Sequence, residues 1–101
     1  ALEDATTENG CLYGLPGSYL DKRPERLFQR VDDACFFEGK DPEWREEDFI
    51  PIEVEQGSAI VFQGMFPHKS YKNFSAKSRY ALTLHFIDMQ TKYLDTNWLR
   101  V

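Results

Sequence analysis

The chain contains two histidines, His68 and His85, and their chemistry makes them the first candidates for metal binding. A neutral imidazole is a natural ligand of Fe(II), although an isolated histidine is more often structural. His68 follows Gly64 and Pro67 at a predicted boundary between a loop and a strand, where functional groups are often displayed. We therefore take His68 as the first candidate metal ligand.

Two residues downstream of His68 could bind an anion. Ser70 lies two positions after His68, so in an extended segment the two side chains share one face. Arg79 opens a predicted strand, and its guanidinium can donate two parallel hydrogen bonds to a carboxylate. A chain reversal within residues 72–75 would bring Arg79 back near His68. Together the three residues predict a site for a metal-chelating dicarboxylate, although this spacing alone also arises by chance.

Composition excludes several other classes of function. The net charge is −5 and the basic residues are not clustered, which predicts neither a nucleic-acid partner nor an anionic membrane surface. No apolar run approaches the roughly 18 residues of a membrane span. Nucleophile-elbow, phosphate-loop, HExxH and EF-hand patterns are absent from the sequence. The composition is that of a soluble globular chain rather than a disordered one.

The two cysteines, Cys11 and Cys35, have no spacing typical of a zinc site. Their number and context predict two reduced thiols in an intracellular, cytoplasmic protein. A single disulfide in a secreted protein is the alternative that the sequence leaves open.

The first half of the chain reads as short strands joined by turns. Residues 2–5 and 11–15 are predicted to form a hairpin around Asn9-Gly10, a pair that tolerates positive φ. Residues 20–48 are charged and interrupted by prolines, which predicts one long irregular insertion. A short helix between Pro24 and Val31 is also possible there.

The second half contains the clearest strand patterns. Residues 49–54 have β-character, and residues 58–62 form a compact apolar run that predicts a buried strand. Residues 79–87 alternate strictly, with His85 on the face of Arg79. The opposite face carries the bulky side chains Tyr80, Leu82, Leu84 and Phe86. The tail should pack through Tyr93 and Trp98. An all-β sandwich or barrel follows.

Several motifs occur in order along the chain with characteristic gaps. They are the run from Ala1 to Leu12, Leu15-Pro16-Gly17-Ser18, Gly57-Ser58-Ala59, His68-Lys69-Ser70, Asn73, Ser78-Arg79 and Asn97-Trp98-Leu99. In this combination the chain resembles the phytanoyl-CoA dioxygenase family of Fe(II)/2-oxoglutarate oxygenases. The resemblance covers most of the sequence and is weakest in residues 20–48.

The resemblance implies a double-stranded β-helix, or jelly roll, with Fe(II) and with 2-oxoglutarate as cosubstrate. His68 matches the distal iron ligand, Arg79 matches the arginine that binds the far carboxylate of 2-oxoglutarate, and Ser70 matches a further cosubstrate contact. His85 would line the cavity. The resemblance also implies that His68 and Arg79 approach one another from opposing sheets rather than within one hairpin.

One expected motif does not occur in these residues. The family takes its other two iron ligands from a His-x-Asp motif, and the chain has neither His-x-Asp nor His-x-Glu. We therefore expect residues 1–101 to be the C-terminal part of one jelly-roll oxygenase domain, an incomplete jelly roll whose missing N-terminal half supplies those ligands. Alone, the chain should be inactive, poorly stable and a poor iron binder.

Two functions stay open at this point. The first is part of a dioxygenase that hydroxylates a small or lipid-like substrate. The second is a non-catalytic jelly-roll binding module, or pseudoenzyme, that has kept the fold and lost the metal. A His-x-Asp motif upstream of Ala1 would favour the first.

Overall fold

A computed structural model of the chain describes residues 1–18, 25–40 and 43–98. In chain order its elements are β1 (Leu12–Gly14), β2 (Glu25–Val31), β3 (Ala34–Lys40), a 3-10 turn (Glu46–Asp48), β4 (Ile50–Ile52) and β5 (His68–Ser70). These residues form two compact units, the first from residues 1–18 and 44–83 and the second from residues 25–40, 43 and 84–98. Apart from the 3-10 turn, these elements are all strands, as the all-β prediction requires.

The first unit is built on a three-stranded antiparallel sheet in the order β4-β1-β5. In this sheet Leu12 of β1 lies opposite Ile52 of β4 and Ser70 of β5. The buried apolar side chains of the described residues belong to this unit and are Ala5, Cys11 and Leu15. The chain around β1 is therefore the best-packed part of the unit.

The Asn9-Gly10 turn is present, but it does not reverse the chain. Gly10 has a φ of +88°, as the predicted turn requires. Ala5, before the turn, pairs antiparallel with Val54, and Leu12, after it, pairs antiparallel with Ile52. Both flanks thus run in one direction along β4, and the predicted hairpin is wrong. The reason is that each flank finds its hydrogen-bond partner in residues 50–54 rather than in the other flank.

Residues 58–62 and 79–87 carry no strand assignment in the structure, contrary to both predictions. Val61 is 93% exposed, and the alternating apolar side chains of residues 80–86 are exposed as well. An apolar alternation becomes a strand only where a neighbouring strand supplies backbone partners and a second layer covers its apolar face. Along residues 79–83 one such backbone contact forms, from the Leu2 N–H to the Tyr80 carbonyl at 3.0 Å.

The predicted irregular insertion is instead largely a regular hairpin in the second unit. Strands β2 and β3 pair antiparallel along their full length, from Glu25 opposite Lys40 to Val31 opposite Ala34. Asp32 adopts a φ of 54° in the two-residue turn, a conformation that aspartate tolerates better than most residues. The charged residues of this stretch favour a loop in the sequence, but in the structure they lie on exposed strands. Residues 19–24 and 41–42 lie outside the described part.

The hairpin is held by aromatic packing. Phe28 and Phe37, directly opposite one another, stack with ring centroids 4.4 Å apart, and Trp98 lies 5.4 Å from Phe28. The Arg30 N–H also donates to the Thr96 carbonyl at 2.8 Å. The prediction that Trp98 anchors the tail is therefore confirmed. These contacts also explain why β2 is a strand and not the short helix considered above.

Two further observations bear on the sequence predictions. Cys11 is buried, Cys35 is exposed, and both are free thiols. Within residues 1–18, 25–40 and 43–98, no helix is long and apolar enough to cross a membrane.

Candidate functional site

Strand β5 places two of the three candidate residues on one face of the first unit's sheet. Its pairing with β1 sets His68 opposite Gly14 and Ser70 opposite Leu12. Because side chains alternate along a strand, His68 and Ser70 share a face, and Lys69 points to the other. The sequence prediction of a shared face thus agrees with the register of the sheet.

The imidazole of His68 is held in one orientation. Its Nδ1 lies 2.9 Å from the carbonyl oxygen of Phe66. A carbonyl can only accept a hydrogen bond, so Nδ1 carries the proton and the neutral ring keeps a lone pair on Nε2. A backbone carbonyl holding one ring nitrogen is the usual way in which proteins orient a metal-binding histidine. The exposed ring of His68 is therefore arranged to act as a ligand.

An apolar groove of about 480 Å³ adjoins this imidazole. The residues that line it are Ile52, Ile60, Val61, Phe62, Gln63 and Phe66. The ring of Phe62 lies 4.6 Å from that of His68 and 5.6 Å from that of Phe66. An apolar molecule bound in the groove would thus lie beside the candidate metal ligand.

Gly14 is needed where the sheet meets the groove. A Cβ at this position would lie 2.4 Å from Cζ and 2.6 Å from Cε1 of Phe66. Gly14→Ala should therefore displace the Phe66 ring and lower the free energy of unfolding by about 1–3 kcal/mol. Gly64→Ala is the matched control, because its Cβ meets nothing within 4 Å. Urea unfolding of both variants tests this, and equal midpoints would show that the Phe66 ring moves aside freely.

Arg79 is a partly buried residue. Within the described parts of the chain, its side chain has no hydrogen bond or ion pair, including with His68 or Ser70. Burial raises the pKa of the Cys11 thiol and the Glu53 carboxylate adds to this, while the nearby charge of Arg79 acts in the opposite direction. A partly desolvated cation without an anionic partner is suited to bind a carboxylate ligand.

The opposite face of β5 carries a polar cluster that the sequence analysis missed. The Lys69 ammonium contacts the Glu46 carboxylate, and the Tyr71 hydroxyl donates to Glu46 at 2.7 Å. These two donors lower the pKa of the Glu46 carboxyl, so the contact is complete at neutral pH and is lost only as the pH falls below the usual glutamate range. The cluster ties the 3-10 turn to the strand that carries His68. The alternation of side chains along β5 places Lys69 on the face opposite His68, and this was the sequence signal for the cluster.

His85 lies in the second unit and is exposed. Its ring packs edge-on against Trp98, with centroids 5.2 Å apart. Its expected place in the lining of a cavity stays a prediction. Across the described residues, no three His, Cys, Asp or Glu side chains come together as a metal-binding group. His68 is thus a single candidate ligand.

The chain is similar in sequence to proteins of one family. The family model described as phytanoyl-CoA dioxygenase (PhyH) matches residues 1–81. The chain is 39% identical over 101 residues to "Phytanoyl-CoA dioxygenase" of Arabidopsis thaliana, an alignment that covers 99% of this chain and 35% of that protein. It is 36% identical over 104 residues to "Phytanoyl-CoA dioxygenase domain-containing protein 1" of Mus musculus, with 99% and 36% covered. The chain spans little more than a third of these relatives. No solved structure matches it significantly.

Proposed function

Because this chain belongs to the phytanoyl-CoA dioxygenase family, we propose that it forms one wall of a non-haem Fe(II)/2-oxoglutarate oxygenase site in a jelly-roll domain. The observation that carries the proposal is the imidazole of His68, which is fixed on the Phe66 carbonyl with Nε2 left to bind a metal. Arg79 supports it, because it is partly buried and makes no hydrogen bond or ion pair with the residues that the structure describes.

The donor set fits Fe(II) in part. A neutral imidazole is one of the three ligands of the two-histidine, one-carboxylate arrangement that such oxygenases use. The described residues bring no second and third ligand together. We assign those ligands to the part of the domain that lies outside these 101 residues, since the relatives are nearly three times as long. These residues by themselves should then bind iron weakly and be inactive.

The anion-binding residues have separate tasks in this proposal. Arg79 would bind the far carboxylate of 2-oxoglutarate through paired, charge-assisted hydrogen bonds. Ser70, on the face of His68, would donate a hydrogen bond from its hydroxyl to the same cosubstrate. The two residues thereby orient the cosubstrate relative to the metal ligand.

The apolar groove gives the proposal its substrate class. Iron, when bound, supplies the oxygen chemistry that couples oxidative decarboxylation of 2-oxoglutarate, yielding succinate and CO₂, to hydroxylation of a C–H bond. The aromatic and aliphatic side chains beside His68 would exclude water and bind an apolar part of a small or lipid-like substrate.

Cosubstrate turnover tests the proposal. The product of the complete reading frame should form succinate from 2-oxoglutarate only when Fe(II) is present, and chelation should reduce the rate to background. Chromatographic quantification of succinate with and without iron measures this. Iron-independent turnover, or none at any iron concentration, would contradict the oxygenase and favour a non-catalytic binding module.

A further inference from the structure

The backbone on both sides of Arg79 is held by side chains from the first ten residues. The Glu3 carboxylate accepts a hydrogen bond from the Ser78 hydroxyl at 2.8 Å and another from the Tyr80 backbone N–H at 2.9 Å. The side-chain amide of Asn9 donates to the Ser78 carbonyl at 3.3 Å. We call this set of contacts the Glu3–Asn9 clamp.

Glu3 is matched chemically to its two partners. A hydroxyl and a backbone N–H are both donors here, and a carboxylate offers one acceptor oxygen to each of them. A glutamine could keep both contacts, because the Ser78 hydroxyl can also accept from an N–H₂ group. An alanine has no polar atom there, so Glu3→Ala removes both contacts.

Asn9 is a rigid support for the clamp, because it is buried and fully hydrogen-bonded. It is 5% exposed, and its Nδ2 donates to the Asp4 carbonyl at 2.8 Å as well as to Ser78. Its Oδ1 accepts from the Thr6 N–H at 2.7 Å. A buried amide with all its partners present is costly to move, so it fixes what it holds.

We propose that Glu3 and Asn9 are positioning residues for Arg79. They fix the backbone at residues 78–80, from which the long Arg79 side chain extends. A small rotation at its Cα would move the guanidinium by a larger distance, so a fixed backbone lowers the cost of bringing the guanidinium onto a carboxylate. The identity of the ligand, 2-oxoglutarate, rests on the proposed function.

The test is Glu3→Ala in the product of the complete reading frame. We expect the dissociation constant and KM for 2-oxoglutarate to rise about tenfold, kcat at saturating cosubstrate to stay within about twofold, and the Tyr80 amide to exchange faster with solvent. Asp88→Ala is the matched control, since Asp88 also accepts a backbone N–H, that of Gln90 at 2.8 Å, and belongs to the second unit. The control should change none of these three quantities.

Ser78→Ala is a milder second variant that serves if Glu3→Ala does not fold. It removes one contact of the Glu3 carboxylate and keeps the other, so the same changes should be present and smaller. Unchanged Tyr80 exchange would overturn the clamp, and faster exchange with unchanged 2-oxoglutarate affinity would overturn its positioning role. If the wild-type protein binds no 2-oxoglutarate, the proposed function fails, and Tyr80 exchange still decides whether the clamp holds this backbone.

Discussion

Arg79→Ala is expected to weaken 2-oxoglutarate binding about 100-fold or more and to abolish turnover at ordinary cosubstrate concentrations. Truncating one partner of a desolvated, hydrogen-bonded charge pair costs about 2–5 kcal/mol, and about 2.7 kcal/mol corresponds to a factor of 100 in affinity. The far carboxylate of the cosubstrate would lose both donors of the guanidinium fork. Equilibrium binding of 2-oxoglutarate and succinate formation measure the two effects.

Two further arginine variants make this prediction specific. Arg79→Lys keeps the charge and loses the planar fork, so its affinity should lie between those of the wild type and the alanine variant. Arg45→Ala removes an exposed guanidinium that hydrogen-bonds Asp48 at 2.7 Å, and it should leave cosubstrate binding unchanged. Wild-type turnover by Arg79→Ala would rule out the role assigned to Arg79.

His68→Ala is expected to reduce Fe(II) affinity by at least about 100-fold and to eliminate iron-dependent turnover. Loss of a residue that merely supports a ligand already costs about 10–100-fold in metal affinity, so loss of the ligand itself should cost more. Bound iron per protein after desalting, measured by elemental analysis, gives the result directly.

The matched control for this variant is the other histidine of the chain. His85 packs edge-on against Trp98 in the second unit, so His85→Ala should retain iron even if it loosens the hairpin. Equal iron contents in the His68→Ala, His85→Ala and wild-type proteins would exclude His68 as a ligand. A loss of iron in His85→Ala alone would show that His85, and not His68, is the metal ligand.

Local chemistry made part of this structure predictable from the sequence. The Asn9-Gly10 turn forms where residues that tolerate positive φ predict it, with a φ of +88° at the glycine. The shared face of His68 and Ser70 followed from the period of two along a strand, and the register opposite β1 agrees with it.

Features that depend on distant partners could not be predicted in the same way. The Asn9-Gly10 turn does not make a hairpin, because residues 50–54 supply the hydrogen-bond partners of both flanks. Residues 79–87 form no strand, and their alternating apolar side chains stay exposed. Charge along residues 25–40 concealed a hairpin whose stability depends on the cross-strand contact of Phe28 with Phe37.

The candidate site shows the same division. Residue type and the order of the motifs were enough to select His68, Ser70 and Arg79. Neither indicated the Phe66 carbonyl that fixes the His68 tautomer, nor the carboxylate of Glu3 that holds the backbone beside Arg79. Such supporting contacts join residues far apart in the sequence, up to 77 positions for Glu3 and Tyr80, and they become visible only once the chain is folded.

In the proposed function, His68 and Arg79 act on opposite ends of one dicarboxylate, His68 through a metal ion and Arg79 directly. Calorimetric titration of 2-oxoglutarate into the product of the complete reading frame, with and without Mn(II), tests it most directly, since Mn(II) accepts the same nitrogen and oxygen ligands as Fe(II). Mn(II) should strengthen binding to the wild-type protein. His68→Ala should lose that metal-dependent gain alone, and Arg79→Ala should weaken binding under both conditions. Wild-type affinities in both variants, with and without metal, would contradict the account.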